Sequence, residues 1–423
     1  MLIVLAAGCK APEAPSSVGV PPIEEPSDSR PAAETLAELD RSLAASIVLQ
    51  AKYDNDWTRL EELVGMHSRR ARLTGSFDDW VRADEALARA YAIAPPGSGP
   101  HLSAARLDFA LHRLDAVEPR LLLWEKRILV DDNARAEIAR LRGDVALQRG
   151  NHAGARAHYE ASLLIRKALA PTFGLAQLAW WEGRFDDALK GLDDVDAFIV
   201  GRDPQTRAWV DLQRGLIALD RGRWVIAKQH YRDASAHFPG WYLVDEHLAE
   251  VAHKLGHVED AELLWRSVIE RTNGAPEFLD ALAGSLHDRG ETAEAAALTA
   301  AADTAWRVVL QQFPEAATGH ALDHFLDAGP PEEALALARA DAMRRPNGNV
   351  RTRLAQALLG AGLAAEAKSE VEAVLATPFR SAELFAVGAR AARETGDVAR
   401  AEGWAGEAKG INPQMEVSIE VRH

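Results

Sequence analysis

Two histidines near residue 320 have the spacing that lets one helix face hold a metal ion. His320 and His324 lie four residues apart, and Asp323 and Asp327 are their neighbours. Residues at this spacing share a face of a helix, and imidazole nitrogen and carboxylate oxygen are common metal ligands. The pattern therefore raises metal binding as one interpretation, and polar residues on a solvated face as the other.

A second group is similar but less complete. Glu250 lies three residues before His253, and His257 follows shortly after. Because His257 comes directly after Gly256, it is expected in a turn, and no second Glu-x-x-His occurs to complete a two-metal carboxylate site. We expect no metal here. A metal-dependent enzyme using His253 or the pair His320 and His324 stays the alternative.

Other catalytic and cofactor signatures were sought by their spacing. The sequence contains no G-x-x-x-x-G-K, no H-E-x-x-H and no G-x-S-x-G. The GAG at 360–362 lies in a predicted turn between helices rather than after a strand. We therefore expect a protein that is not an enzyme and that carries no cofactor.

The only cysteine, Cys9, ends the apolar run LIVLAAG. This stretch resembles the lipobox of bacterial lipoproteins, which implies that residues 1–9 are a signal segment and that Cys9 receives a lipid. The segment has no basic n-region, and its large apolar residues, LIVL, are fewer than the roughly 7–15 residues of an h-region. We therefore expect either that the signal is truncated, with the true start codon upstream, or that it is degenerate. The alternative is a chance cysteine at an apolar chain end.

Residues 10–32 are rich in proline and serine and hold hardly any large apolar side chain. Such a segment cannot bury enough surface to fold, so it is predicted to be a disordered tether. No later stretch approaches the about 20 apolar residues that span a bilayer. The expected location is the cell envelope, lipid-anchored and facing the periplasm. A cytoplasmic location is the alternative.

Composition limits the partners. The 423-residue chain has 63 acidic and 48 basic side chains, a formal net charge of −15, and no run of five or six Lys or Arg. Nucleic acid and anionic lipid surfaces are therefore poor electrostatic partners for the molecule as a whole. A single cysteine also excludes an intramolecular disulfide and a cysteine-based zinc site.

Residues 214–239 contain a pattern that recurs along the chain. A mid-helix glycine, a turn glycine, two alanines flanking a tyrosine, and a closing proline occur in order at Gly215, Gly222, Ala227, Tyr231, Ala234 and Pro239. This pattern resembles the tetratricopeptide repeat, a 34-residue helix–turn–helix unit. The resemblance implies small residues where two helices cross, an aromatic residue beside them, and a proline that ends the second helix.

The same frame recurs at a regular spacing. It is found at Gly150, Ala155 and Tyr159; Gly183 and Ala188; Gly256 and Ala261; Gly290 and Ala295; Gly329 and Ala334; Gly362 and Ala367; and Gly396, Ala401 and Pro413. Successive turn glycines lie 33, 39, 34, 34, 39, 33 and 34 residues apart. The resemblance implies an all-α, right-handed superhelix of about ten repeats over residues 53–413.

Two upstream units fit the frame less closely. In residues 57–95, TGSFDDW is expected to lengthen the turn by about three residues. In residues 101–130, Arg113 is expected to replace the turn glycine, and Pro119 to fall in the first turn of the second helix. Residues 33–52 have apolar residues at helical spacing and are predicted to cap the array. Residues 414–423 are a tail with strand-like alternation that we leave unplaced.

In this fold the first helix of each repeat lines the concave face, so binding residues are expected there. The frame predicts an aromatic section next to an acidic one. The aromatic section is Phe173, Trp180, Trp181, Trp209, Leu212 and Leu216, and the acidic section is Glu246, Glu250, His253, Asp280, His287, Asp288, Asp323 and Asp327. Alternatively, the aromatic residues pack between repeats and the acids form a solvated face.

The function expected from these features is a lipid-anchored scaffold that binds another protein. An acidic groove with tryptophans would attract a segment that carries basic and large apolar residues. Some tetratricopeptide domains grip carboxylate tails with Lys and Asn, but acids stand at the corresponding positions here. A soluble cytoplasmic adaptor with the same array is the second alternative.

Overall fold

A computed structural model describes residues 29–127, 130–199 and 203–417. These residues form twenty-one α-helices and no strand, which confirms the predicted all-α fold. In the same ranges, no helix combines the length and the apolarity that crossing a membrane requires. Cys9, the signal-like segment and most of the predicted tether lie outside the described residues.

One helix, α1 (Ala32–Lys52), precedes ten antiparallel helix pairs. The first helices of pairs one to ten are α2 Trp57–Thr74, α4 His101–Ala110, α6 Asp132–Gln148, α8 Leu169–Trp181, α10 Pro204–Asp220, α12 Tyr242–Lys254, α14 Pro276–Asp288, α16 Pro314–Asp327, α18 Gly348–Gly360 and α20 Ala382–Glu394. The second helices are α3 Phe77–Ile93, α5 Leu114–Glu125, α7 His152–Ile165, α9 Phe185–Asp196, α11 Trp224–His237, α13 Val258–Arg271, α15 Thr292–Gln312, α17 Pro331–Arg344, α19 Ala364–Leu375 and α21 Val398–Ile411.

Local sequence explains where many helices begin and end. Seven helices start after a residue whose side chain accepts a backbone N–H of the first turn: Asp56, Asp131, Asn151, Asp203, Asn347, Ser381 and Asp397. Such a cap satisfies a donor that the helix itself leaves free. Pro239 and Pro413 each lie two residues beyond the end of a second helix, as predicted.

The predicted crossing residues form the core of each pair. Ala155, Tyr159, Ala188, Ala227, Tyr231, Ala234, Ala261, Ala295, Ala367 and Ala401 are all buried. A Cβ on Gly215 would overlap the ring of Tyr231, and one on Gly143 would lie 2.6 Å from Cδ1 of Tyr159. Glycine at these two positions therefore lets the first helix approach the aromatic ring of the second.

The turns correct four details of the prediction. Seven of the eight predicted turn glycines have positive φ, but Gly329 does not, and that turn leads into Pro330 and Pro331 instead. In pair two the left-handed residue is His112 (φ 56°), while Arg113 precedes the second helix with an ordinary φ.

The other two corrections concern pairs one and two. Gly75 (φ 72°) and Ser76 alone join α2 to α3, so TGSFDDW does not lengthen the turn; instead α2 is extended to 18 residues. Pro119 is the sixth residue of α5, beyond its first turn. A proline there leaves the carbonyl of Asp115 without its intrahelical N–H donor.

Distant parts of the array also contact each other along what we call the seam. The turn of pair three meets the loop after pair eight, where Nδ2 of Asn347 donates to the carbonyl of Gln148 at 3.2 Å. The turn of pair four meets the loop after pair nine, where the N–H of Arg380 donates to the carbonyl of Trp181 at 2.9 Å. The turn of pair five meets Asn412 after pair ten.

The seam extends to the start of the described chain. Phe313, after pair seven, packs in one core cluster with Leu107 and Leu111 of pair two. Nη1 of Arg345 lies 3.2 Å from Nε2 of His112. The N–H groups of Arg30 and Ala32 donate to the carbonyls of His237 and Pro239, after pair five. For pairs two to five, each turn thus meets the loop that follows the pair five positions later, so successive superhelical turns are in contact.

Candidate functional site

The predicted groove residues lie on the first helices of pairs four to eight, as the repeat frame requires. The aromatic section lies on α8 and α10, and the acidic section lies on α12, α14 and α16. Equivalent positions on successive first helices lie side by side in a stacked array. The two sections are therefore neighbours. Their side chains differ in how far they are exposed to a binding partner.

The aromatic section divides into three environments. Phe173 packs edge-on against Trp209, with ring centroids 4.4 Å apart, and both stay partly exposed. Leu216 is also partly exposed beside the core of pair five, but Leu212 is only 1% exposed and belongs to that core. The prediction of Leu212 as a binding residue is therefore wrong, because packing between helices already occupies its side chain.

Trp181 serves the seam rather than the aromatic section. Its ring lies 6.5 Å from that of Phe379 in an edge-on arrangement, and it packs against the core of pairs seven to ten. Its backbone carbonyl accepts the N–H of Arg380. Contact between superhelical turns, not a ligand, thus occupies this tryptophan.

Trp180 connects the aromatic section to an acid that the sequence analysis missed. Its Nε1 donates to Oδ2 of Asp220 at 2.8 Å. Burial raises the pKa of Asp220 to about 7, even though the hydrogen bond from Trp180 opposes this. Asp220 lies four residues after Leu216, so helical spacing from the predicted row would have found it.

The acids of α12 surround a buried histidine. His247 is fully buried, its Nε2 lies 3.1 Å from Oε1 of Glu246, and its Nδ1 lies 3.3 Å from Oε2 of Glu250. Burial lowers the pKa of His247, but the two carboxylates outweigh it and the net shift is upward. Lys254 lies 3.6 Å from Glu250.

Glu246 and Glu277 carry protons more readily than ordinary carboxyls. Burial raises the pKa of Glu246 to about 7, and the negative charges of Glu250 and Glu277 add to the shift. Burial likewise raises the pKa of Glu277, on α14, to about 7. Asp220, Glu246 and Glu277 therefore form a row of desolvated carboxyls on three successive first helices, which we call the acid row.

Other predicted acids already have partners within the chain. Oδ1 of Asp280 lies 2.8 Å from Nδ1 of His324, and its Oδ2 accepts Nε1 of Trp306 at 2.8 Å. Asp323 forms an ion pair with Arg353. These contacts lower the net charge that Asp280 and Asp323 can offer to a partner.

The acidic section is more open at the C-terminal ends of its helices. Asp288 is exposed and lies 3.6 Å from Nε2 of His253, and His287 is exposed beside it. Asp327 is exposed at the end of α16. The protein around its carboxyl still removes enough water from it to raise its pKa to about 6, and the negative charge of Asp280 adds to the shift. These ends thus form a partly solvated face.

The histidines are not arranged as a metal centre. His324 pairs with Asp280 and, at 3.5 Å, with Asp303, whereas burial lowers the pKa of His320 to about 3 beside Arg345 and Arg353. His257 precedes α13 in the turn, as predicted. Throughout the described ranges, no three or more His, Cys, Asp or Glu side chains gather closely enough to hold a metal ion.

Comparisons with known proteins add little to this description. No protein-family model matches the sequence, and no curated protein matches it. A human IFIT1 dimer with m7Gppp-AAAA aligns at 13% identity and a TM-score of 0.41, over 84% of this chain and 94% of that chain. A tetratricopeptide repeat protein from Parabacteroides merdae aligns at 14% identity and 0.36, over 67% and 95%. The pilF protein of Pseudomonas aeruginosa aligns at 18% identity and 0.30, over 50% and 95%.

The architecture of the chain itself defines its type. Ten antiparallel helix pairs follow one another in contact, and nine of them pass from first to second helix without a long loop and through a left-handed residue. Small residues lie where the paired helices cross, with a large aromatic side chain beside them in several pairs. With this arrangement the chain is an all-α solenoid of antiparallel helix pairs, and its repeats resemble the tetratricopeptide repeat.

Proposed function

We propose that this chain is a non-catalytic scaffold that binds a partner protein through a segment carrying basic and large apolar residues. The observation that supports this most directly is the contact between Trp180 and Asp220, which joins an aromatic surface to the acid row. A segment lying along the first helices would meet an apolar platform and, next to it, the partly exposed Asp220 and Glu277 of the acid row, whereas Glu246 is only 4% exposed.

The acid row favours a cation because it is poorly compensated. Among the described residues, no Lys or Arg forms an ion pair with Asp220, Glu246 or Glu277, and each has its pKa raised to about 7. His247 lies 3.1 Å from Glu246, so Asp220 and Glu277 are the two acids that lack a nearby cation. A buried carboxylate without a counter-charge is unfavourable, and an Arg or Lys from a partner would stabilise the ionised form. Phosphate groups would meet repulsion at the same place, so a nucleic acid is not the proposed partner.

Binding of a synthetic peptide of alternating Arg and Leu tests this proposal. The double variant Asp220→Asn with Glu277→Gln keeps side-chain volume and removes the charge, and calorimetry at about pH 8 keeps the wild-type carboxyls ionised. We expect a loss of affinity of about tenfold or more, since truncating a desolvated charge pair has effects of that size. Asp323 is a poor choice for such a test because it already forms an ion pair with Arg353 within the chain.

The matched control changes two acids on a second helix. Glu259 and Glu270 are exposed on α13, and Glu259→Gln with Glu270→Gln should bind the peptide as the wild type does. A peptide of alternating Glu and Leu should not bind, and salt should weaken binding of the basic one. Equal affinity of both double variants for the basic peptide would place the binding surface elsewhere.

We further propose that a lipid on Cys9 holds this scaffold at the cell envelope, facing the periplasm. The support is the lipobox-like LAAGC and the proline-rich segment after it. Fractionation of the full chain and of Cys9→Ser tests the anchor: the wild type should sediment with membranes and the variant should not. If both are equally soluble, the anchor is wrong and a cytoplasmic adaptor takes its place, while the peptide experiment still decides the groove.

A further inference from the structure

Two second helices end in exposed apolar side chains. Leu122 and Leu123 near the end of α5 are 46% and 39% exposed, and Leu164 and Ile165 at the end of α7 are 89% and 40% exposed. Leu164 is more exposed than any other large apolar side chain of the described residues. Exposed apolar residues that occur singly are ordinary, but two pairs in the C-terminal halves of second helices from neighbouring repeats form a surface feature.

The two helix ends lie side by side at one edge of the array. They are the C-terminal ends of second helices in pairs two and three, and neighbouring repeats stack in the same orientation. Arg166, directly after α7, donates a hydrogen bond to Asn133 in the first turn of α6. The seam contacts described above use the loops after pairs five and seven to ten. The loops after pairs two and three therefore lie at an edge that these contacts leave free.

The charge at this edge is opposite to that of the molecule. Residues 122–135 and 164–167 contain five Lys or Arg and three acidic residues, in a chain with a net charge of −15. Lys126 and Lys167 are exposed, and no ion pair with another described residue holds either of them. Arg127 lies over the ring of Trp124, 3.9 Å from its centroid.

Other second helices end differently. Met343 near the end of α17 is 77% exposed, but it is a single apolar residue, and Arg344 after it donates a hydrogen bond to Thr318. The second helix of pair six ends in Glu270 and Arg271, and that of pair seven ends in Gln311 and Gln312. The repeat itself therefore does not require apolar residues at these positions. What distinguishes pairs two and three is the combination of exposed leucine and isoleucine with adjacent unpaired lysine.

We propose that Leu122, Leu123, Lys126, Leu164, Ile165 and Lys167 form a contact surface, the edge patch, for an anionic lipid bilayer. Apolar side chains that enter the interface between headgroups and acyl chains, with cations beside them, combine apolar burial with attraction to anionic headgroups. The acidic charge of the whole chain does not prevent this, because charges more than about a Debye length away are screened. The edge patch acts independently of the groove and of any lipid on Cys9.

Vesicle co-sedimentation of the full chain carrying Cys9→Ser tests the proposal without a lipid anchor. The protein should bind vesicles of phosphatidylcholine mixed with phosphatidylglycerol, and bind poorly to phosphatidylcholine alone. Adding Lys126→Glu and Lys167→Glu should reduce the partition coefficient by at least about tenfold, since each basic residue near an anionic surface contributes several-fold. Adding Leu164→Ser and Ile165→Ser should also reduce it.

A matched control is available on another second helix. Leu263 on α13 is 68% exposed, and Leu263→Ser should leave vesicle binding unchanged. Thermal unfolding followed by circular dichroism verifies that all variants are folded. The proposal is overturned if the edge-patch variants and Leu263→Ser bind alike, if lipid charge has no effect, or if no vesicle is bound. Self-association that Leu164→Ser abolishes would instead make the patch an interface between two copies of the chain.

Discussion

The hydroxyl of Tyr159 donates a 2.8 Å hydrogen bond to Oδ1 of Asp144, whereas Tyr231, its equivalent two pairs later, has Leu216 in the place of that aspartate. Both rings are fully buried, and the Tyr231 hydroxyl has no hydrogen-bond partner among the described residues. The same structural position thus holds one satisfied and one unsatisfied phenol.

This difference predicts opposite outcomes for the same substitution. Tyr159→Phe should lower the free energy of unfolding by about 1–2 kcal/mol, because Asp144 loses a buried donor. Tyr231→Phe should be neutral or slightly stabilising, since it removes a hydroxyl that makes no hydrogen bond. Urea unfolding of the two variants measures both changes, and equal losses would contradict the hydrogen-bond assignment.

Two mid-helix glycines should respond in opposite ways to a larger side chain. Gly215→Val should destabilise the protein by about 1–3 kcal/mol, because the valine Cβ would overlap the Tyr231 ring and the larger side chain would overpack the core. Ala227→Leu should do the same across the same crossing. Gly284→Ala on α14 should stabilise by about 0.5–1 kcal/mol, because no atom lies within 4 Å of the added Cβ. Thermal melts that rank these variants differently would mean that the helix register is wrong.

The seam predicts that two turn glycines with the same backbone conformation differ in importance. Gly150 and Gly256 both have positive φ, 72° and 81°. A Cβ on Gly150 would lie 2.8 Å from the carbonyl oxygen of Pro346, whereas one on Gly256 would meet nothing within 4 Å. Gly150→Ala should therefore destabilise more than Gly256→Ala, which has only the backbone strain of about 1 kcal/mol.

Small-angle scattering separates seam opening from simple loss of stability. Under conditions where both variants stay folded by circular dichroism, Gly150→Ala should increase the radius of gyration, because successive superhelical turns separate. Gly256→Ala should leave it unchanged. The same radius for wild type and both variants would show that the seam tolerates the extra carbon.

Glu277 should make stability depend on pH. Burial raises its pKa from 4.5 to about 7, so between these values the folded state keeps a proton that the unfolded chain has lost. Its contribution to stability therefore falls as pH rises through this range. Glu277→Gln should match the wild type at about pH 4 and exceed it by about 1–3 kcal/mol at about pH 8.

An exposed glutamate provides the comparison. Glu270→Gln on α13 should change stability little at either pH, since surface substitutions are usually within about 0.5 kcal/mol. Unfolding curves at both pH values measure the difference for each variant. A Glu277→Gln variant that tracks the wild type across the whole range would mean that this carboxyl is solvated.

Helix pairing could be predicted from the sequence because it depends on local residues. Gly222, Ala227, Tyr231 and Pro239 specify a turn, a crossing and a helix end within one repeat. His112 could not be foreseen as the left-handed residue by this route, because the pattern assumes glycine and a residue other than glycine adopts a positive φ only uncommonly. The failure at Gly329 has the same origin, since two prolines redirect that turn.

The seam and the pairing of the acids could not be predicted in this way. Asn347 and Gln148 meet across 199 residues, and their contact depends on the accumulated twist of five repeats rather than on any pattern within one. Asp323 and Asp280 belong to the predicted acidic section, but their partners Arg353 and His324 come from later helices. Spacing along one helix therefore identified which acids lie in the section and not how much charge remains there.

The five-pair offset of the seam also restricts how the chain can change in length. In an open solenoid each repeat contacts only its neighbours, so a unit can be duplicated or lost with local consequences. Here, removing one pair between the turn at Gly150 and the loop at Asn347 would bring the next pair's loop, near Phe379, opposite that turn. The partners of His112 and Trp181 would shift with it. The contacts along the seam thus restrict the number of repeats, and a change of one unit requires new side chains along the whole line of contact.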